Sequence, residues 1–285
     1  MSGAVIAAVL IAALMHAGWN TLVKAHAGSG APMVPVVACA GLLCACGLPF
    51  VAAPHPASWP FIAASALVQT LYYTLLAATY RSGELSHAYP LMRGCAPLIV
   101  ALLAPAFGNH LGTELGERLS AGQWLAVGLI CGGVLLIFVD AAGRGAAHRT
   151  TLLAVATACV IAAYTLIDGA GVRRSGAPAG YTMWLFALTG LAVAAPAWRQ
   201  RRTLLPFARR HPSTLLGGGA MSVGSYGIAL WAMTQAPVAL VAALRETSIL
   251  FATAIAALVL RERISRTRLL AVGLIAGGAC AMRLA

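Results

Sequence analysis

Apolar residues run through this sequence in stretches of about twenty, broken by short groups of polar, glycine and proline residues. A hydrocarbon core about 30 Å thick takes roughly 20 helical residues to cross. Ten runs meet that length, at about 4–24, 31–53, 58–80, 85–106, 120–140, 150–170, 180–198, 213–234, 237–260 and 265–284. No water satisfies backbone groups inside lipid, so each run is expected to be a helix. Barrel strands would be shorter and would alternate in polarity. The fold class that follows is an all-α membrane protein with ten transmembrane helices.

The runs are not independent of one another. S-G-A-P at 29–32 returns at 175–178, E-R-L-S at 117–120 returns as E-R-I-S at 262–265, and L-A-V-G-L-I-C-G-G at 125–133 returns as L-A-V-G-L-I-A-G-G at 270–278. The order is kept and the offsets are 146, 145 and 145 residues. This predicts a duplicated five-helix unit, a first repeat over 1–142 and a second over 147–285. An odd number of spans per unit makes the second copy enter the membrane from the opposite face, so the repeats are inverted. That arrangement belongs to transporters that open one midplane site to each side in turn. The repeated glycines are expected at close helix crossings.

Composition agrees with the pattern and narrows the function. The chain has 285 residues, 60% of them hydrophobic and 9% charged, and its mean hydropathy is +0.86. A net charge of +12 would suit a nucleic-acid partner, but the basic residues crowd the short gaps between runs, where membrane lipids and topology account for them. With both termini outside, the cytoplasmic gaps hold thirteen of them, including the cluster Arg199, Arg201, Arg202, Arg209 and Arg210. The opposite orientation leaves four, Arg118, Arg173, Arg174 and Arg283, so termini outside is expected. The first run has no basic n-region and reads as a retained helix. All seven cysteines fall within runs and none forms a C-x-x-C pair, so buried thiols are expected and no metal site. No P-loop, nucleophile elbow or nucleotide fingerprint is present, so neither an enzyme nor a bound cofactor is expected.

Certain motifs carry a family likeness. G-E-R-L-S and R-E-R-I-S before the last run of each half, with H-A-G-W-N at 16–20, A-Y-P-L-M-R-G-C-A-P-L at 88–98 and A-P-V-A-L-V-A-A-L-R-E-T-S at 236–248, resemble the EamA family of the drug/metabolite transporter superfamily. The resemblance spans essentially the whole chain. It implies a multi-pass protein of the bacterial inner membrane that carries a small-molecule substrate. Relatives export amino acids, carry sugar phosphates and nucleotide sugars, or flip lipid-linked sugars.

Polar groups at membrane depth are costly, so they face a cavity or a partner. Arg93 and Arg245 each lie about nine residues into their runs, roughly 13 Å from the entry face, and come from opposite sides toward one level. Two guanidiniums at the midplane suit a substrate carboxylate or phosphate. Their alternative partners are the protein's own Glu246 and Asp168. Glu246 cannot pair with its neighbour Arg245, because adjacent helical residues diverge by about 100°. An acid at that depth could also carry a coupling proton. The other candidate substrate-binding residues are His16, Trp19 and Asn20 in run 1, Tyr72 and Tyr73 in run 3, Tyr89 one turn before Arg93, Tyr164 with Asp168 in run 6, and Tyr226 with Trp231 in run 8. Trp59, Tyr181, Trp184 and Trp198 are assigned to the interfacial aromatic belt. Pro90, Pro97 and Pro105 should bend run 4, and Glu117 and Glu262 should cap the last helix of each half. The expected activity is secondary transport, as an exporter of a small anionic metabolite by alternating access. The alternative is a flippase for a lipid-linked phosphate or sugar-phosphate headgroup. The expected state is a monomer, with a dimer as the alternative.

Overall fold

A computed structural model describes residues 1–26, 33–81, 85–111, 118–142, 148–258 and 265–284, with backbone alone at 80–81, 85–89, 108–111, 140–142 and 256. The side chains of Tyr89, Glu117 and Glu262 lie outside the described residues. The elements are helices α1 (Gly3–Ala25), α2 (Met33–Gly47), α3 (Trp59–Arg81), α4 (Leu85–Leu111), α5 (Ala121–Ala142), α6 (His148–Ser175), α7 (Pro178–Ala197), α8 (Arg201–Arg210), α9 (Pro212–Met233), α10 (Val238–Arg245), α11 (Ser248–Leu258) and α12 (Arg266–Leu284). Among the described residues, ten segments are long and apolar enough to cross a membrane, with α10 and α11 sharing one of them, so the chain is a multi-pass membrane protein.

Local chemistry sets the helix ends. Ser2 caps α1, its Oγ accepting from the Val5 amide at 3.3 Å. Ser120 and Gln123 bond reciprocally at the start of α5, amide to side chain at 3.0 and 3.2 Å, the pattern of a capping box. Pro178 and Pro212 occupy first-turn positions of α7 and α9, where no amide is needed. Gly176, at φ +61°, turns the chain from α6 into α7 in a conformation that favours glycine. Large side chains such as Leu67 and Leu102 are about two-thirds exposed on the outside of the bundle, as lipid-facing positions should be.

One expectation needs correction. The ninth apolar run does not form one continuous helix: α10 ends at Arg245 and α11 begins at Ser248. At the junction the amides of Glu246, Thr247, Ile249 and Leu250 bond three residues back, to Ala243, Leu244, Glu246 and Thr247. The tighter i→i+3 pattern interrupts the α-helix without a proline or glycine. Such stretches inside a helix often mark hinges.

Packing places α1, α3, α4, α6, α9 and α10 around the middle of the molecule, with α2–α7 and α5–α12 as close crossings. In the first crossing, a Cβ added to Gly41 would come within 2.8 Å of the Gly190 Cα. In the second, a Cβ on Gly133 would meet the Ala271 carbonyl at 2.8 Å, and one on Gly278 would meet the Ala126 carbonyl at 2.8 Å. Gly133 and Gly278 close the two copies of the L-A-V-G-L-I-x-G-G sequence. Gly133→Ala is therefore expected to lower stability by roughly 1–3 kcal/mol through overpacking. Gly132→Ala, whose Cβ would meet nothing within 4 Å, should leave stability unchanged or slightly raised. Thermal unfolding of the purified variants in detergent checks the contrast; equal behaviour would exclude the crossing as its cause.

Candidate functional site

The arginine and glutamate at 245–246 sit at the α10–α11 junction and diverge from it. Glu246 reaches α4, where its Oε2 accepts from the Arg93 Nε at 2.9 Å in an ion pair buried on both sides. Arg245 turns toward α9, its guanidinium carbon 5.0 Å from the Tyr226 ring centroid, within cation–π range. Its Nε is buried and has no hydrogen-bond partner among the described residues, and no carboxylate forms an ion pair with it there. Between the two lies a cleft bordered by Arg93, Pro97, Tyr164, Thr165, Arg245 and Glu246, with a volume of about 10 Å³. That holds about one water molecule.

Beside the cleft is a second polar centre on α6. Asp168 is fully buried and takes hydrogen bonds from three helices: Tyr226 Oη of α9 at 2.5 Å, Tyr181 Oη of α7 at 2.9 Å and Gln69 Nε2 of α3 at 3.2 Å. All three donors are neutral. Four carboxylate lone-pair sites can absorb that many donors, so the acid is satisfied without a cation. Tyr226 joins the two centres, with its hydroxyl on Asp168 and its ring facing Arg245. Tyrosines extend the cluster from there: Tyr164 lies 6.1 Å from Tyr226, Tyr72 5.8 Å from Tyr164, and Tyr73 5.0 Å from Tyr72, all edge-on.

The structure thus gathers Arg93, Arg245, Glu246, Tyr72, Tyr73, Tyr164, Asp168 and Tyr226 into one region. His16 is within electrostatic range of both arginines. Its neighbours are satisfied locally: Trp19 Nε1 donates to His16 Nδ1 at 3.3 Å, and Asn20 Nδ2 donates to the His16 carbonyl at 2.8 Å. Trp231 does not join the cluster; it is 40% exposed, and lipid suits its large ring.

Four residues carry roles that the pattern of the sequence did not suggest. Tyr181 was expected in the interfacial belt but is fully buried against Asp168, because α7 packs on α3 and α9 there. Gln69 and Ser65 form an i,i+4 pair, Nε2 to Oγ at 3.3 Å, and that polar spacing inside an apolar run was the available signal. Arg173, counted above as a topology charge, donates from Nε to the Met233 carbonyl at 2.8 Å and from Nη2 to the Ala236 carbonyl at 2.9 Å. It satisfies the open end of α9.

Comparison with known proteins gives the family. No curated protein matches the sequence. A crystal structure described only as that of a protein superposes with a TM-score of 0.71 at 19% identity, covering 98% of this chain and 98% of the other, which shows a shared fold. The model of the EamA-like transporter family matches residues 149–284. Residues 149–284 are thus similar to the EamA-like transporter family, and the chain is a membrane transporter of the drug/metabolite type.

Proposed function

We propose that this transporter carries a small anionic metabolite outward across the bacterial inner membrane, by alternating access, through the cleft between α4, α6 and the α10–α11 junction. The observation that carries the reading is the charge balance of the cleft, where one carboxylate, Glu246, faces two guanidiniums. Glu246 engages Arg93 and leaves Arg245 with its fork of donors and no ion pair among the described residues. A carboxylate or phosphate would complete it bidentately, with Tyr164 and Thr165 alongside. A drug-sized ligand needs roughly 300 Å³ or more, so the helices around a water-sized cleft must separate to admit a substrate. The interrupted α10–α11 segment supplies a place for that movement.

The proposal includes an inverted five-helix duplication, 1–142 and 147–285. Exchanging the halves turns the α1–α9 contact into α6–α3, α2–α9 into α7–α3, and α4–α6 into the contacts of α10 and α11 with α1. The α2–α7 and α5–α12 crossings map onto themselves. Each half then supplies one arginine to the cleft. The same reading takes in a coupling proton: an anion that takes Arg93 releases the Glu246 carboxylate from its ion pair, and the freed carboxylate takes up a proton.

The test is a thermal-shift titration of the purified protein with chemically matched anionic, neutral and cationic metabolites. Stabilisation is expected with anions alone and should be followed by their efflux from proteoliposomes. Responses confined to neutral or cationic compounds would sink the anion reading. A response confined to lipid-linked phosphates would move the substrate to a headgroup flipped through the same site.

A further inference from the structure

Between α7 and α9 the chain makes a short helix with a different character from the spans. In α8, Leu204, Phe207 and Ala208 turn inward at i, i+3, i+4 spacing, and Phe207 is buried, its ring 6.1 Å from His26 at the end of α1 and 4.8 Å from His211. The outward stripe is Arg202, Leu205, Pro206 and Arg209, at i, i+3, i+4, i+7, with Arg201 beside it. These five residues line a groove of about 290 Å³. At its edge Trp198 is 63% exposed, with the Arg201 guanidinium 5.7 Å from its ring. No Asp or Glu occurs between Asp168 and Glu246, and none of these arginines makes an ion pair among the described residues.

A short helix with one face on the protein and a mixed basic and apolar face outward is suited to lie in the headgroup layer. We propose that the outer face of α8 is a binding site for the headgroup of an anionic phospholipid. Arg201, Arg202 and Arg209 meet the phosphate, while Leu205, Pro206 and Trp198 pack on the glycerol and the first acyl carbons. Arginine forks match phosphate oxygens, and aromatic rings favour this layer. The interleaved apolar residues select an amphiphile over a free ion, since they would be wasted on inorganic phosphate. The site stands apart from the cleft and does not depend on the substrate read there. With the termini outside, the groove faces the cytoplasmic leaflet, which carries the anionic lipid.

Native mass spectrometry of the protein released from mixed micelles, with phosphatidylglycerol and phosphatidylcholine equally supplied, tests this. The wild type should retain phosphatidylglycerol preferentially. Each guanidinium near the surface contributes about fivefold, so R201Q/R202Q/R209Q should lose the preference by on the order of a hundredfold. R201K/R202K/R209K should keep most of it, and all three proteins should show the same thermal unfolding without added lipid. Undiminished preference in the glutamine variant, or none in the wild type, would overturn the site. Displacement of the bound lipid by millimolar inorganic phosphate would make the groove a free-anion site and overturn the lipid assignment.

Discussion

Arg245→Ala is expected to abolish transport of the anionic substrate while leaving the protein as stable as before, or more so. Truncating one partner of a desolvated charge pair costs roughly 2–5 kcal/mol of binding, so affinity should fall at least about thirtyfold. Without substrate, however, Arg245 is a buried cation whose Nε has no hydrogen-bond partner among the described residues, held by the face of Tyr226. Burying such a group is a cost to folding, and removing it relieves that cost. Loss of function with a gain in stability is the signature of a residue kept for its ligand, and a residue kept for the fold cannot produce it. Two measurements on the same preparation suffice: thermal unfolding without substrate, and the substrate-induced shift with tracer efflux from proteoliposomes. Arg245→Lys should retain a residual response, since the charge stays and the planar fork is lost. Full transport by Arg245→Ala would remove Arg245 from the site.

The parts of this molecule legible in the sequence are those with a short period. Ten runs of about twenty residues follow from bilayer thickness, and the described residues hold ten segments of that kind. The buried charged residues were legible as a set, because cost alone marks Arg93, Asp168, Arg245 and Glu246 in an apolar chain. Their pairing was not: Arg93 and Glu246 are 153 positions apart, and no local rule chooses between a protein carboxylate and a substrate. Asp168 and Tyr181 are only 13 positions apart, yet they lie on different helices, and a tyrosine near a span end looks the same whether it meets headgroups or a buried acid. The break between α10 and α11 leaves no mark in the sequence, because Thr247 and Ser248 do not stop a helix as proline would. There the bonding pattern, rather than a residue type, marks the junction. Trp231 lies apart from the cluster for a different reason. Helical spacing puts it near Tyr226 along the chain, but it is exposed, while Tyr226 is buried.

The two arginines look equivalent by position, and the second large effect should separate them. Arg93→Ala is expected to destabilise the protein by roughly 3–5 kcal/mol, because it leaves the Glu246 carboxylate buried without its guanidinium. Glu246→Ala should destabilise less, since it strands a cation in a cleft already built to hold one beside Tyr226. Replacing both, as Arg93→Met with Glu246→Leu, should return most of the stability: a well-packed apolar pair avoids the desolvation that the ion pair had to overcome. The double-mutant cycle read by thermal unfolding should therefore give a coupling of a few kcal/mol. Additive effects would mean that the two side chains do not depend on each other. Transport should not return with stability in the double variant, because the pair links α4 to the α10–α11 junction and a substrate anion has to compete with Glu246 for Arg93. A stable double variant that still transported at the wild-type rate would show that the ion pair is a strut and takes no part in opening the site. Stability and transport would then report on different arginines, Arg93 holding the closed cleft together and Arg245 waiting for the anion.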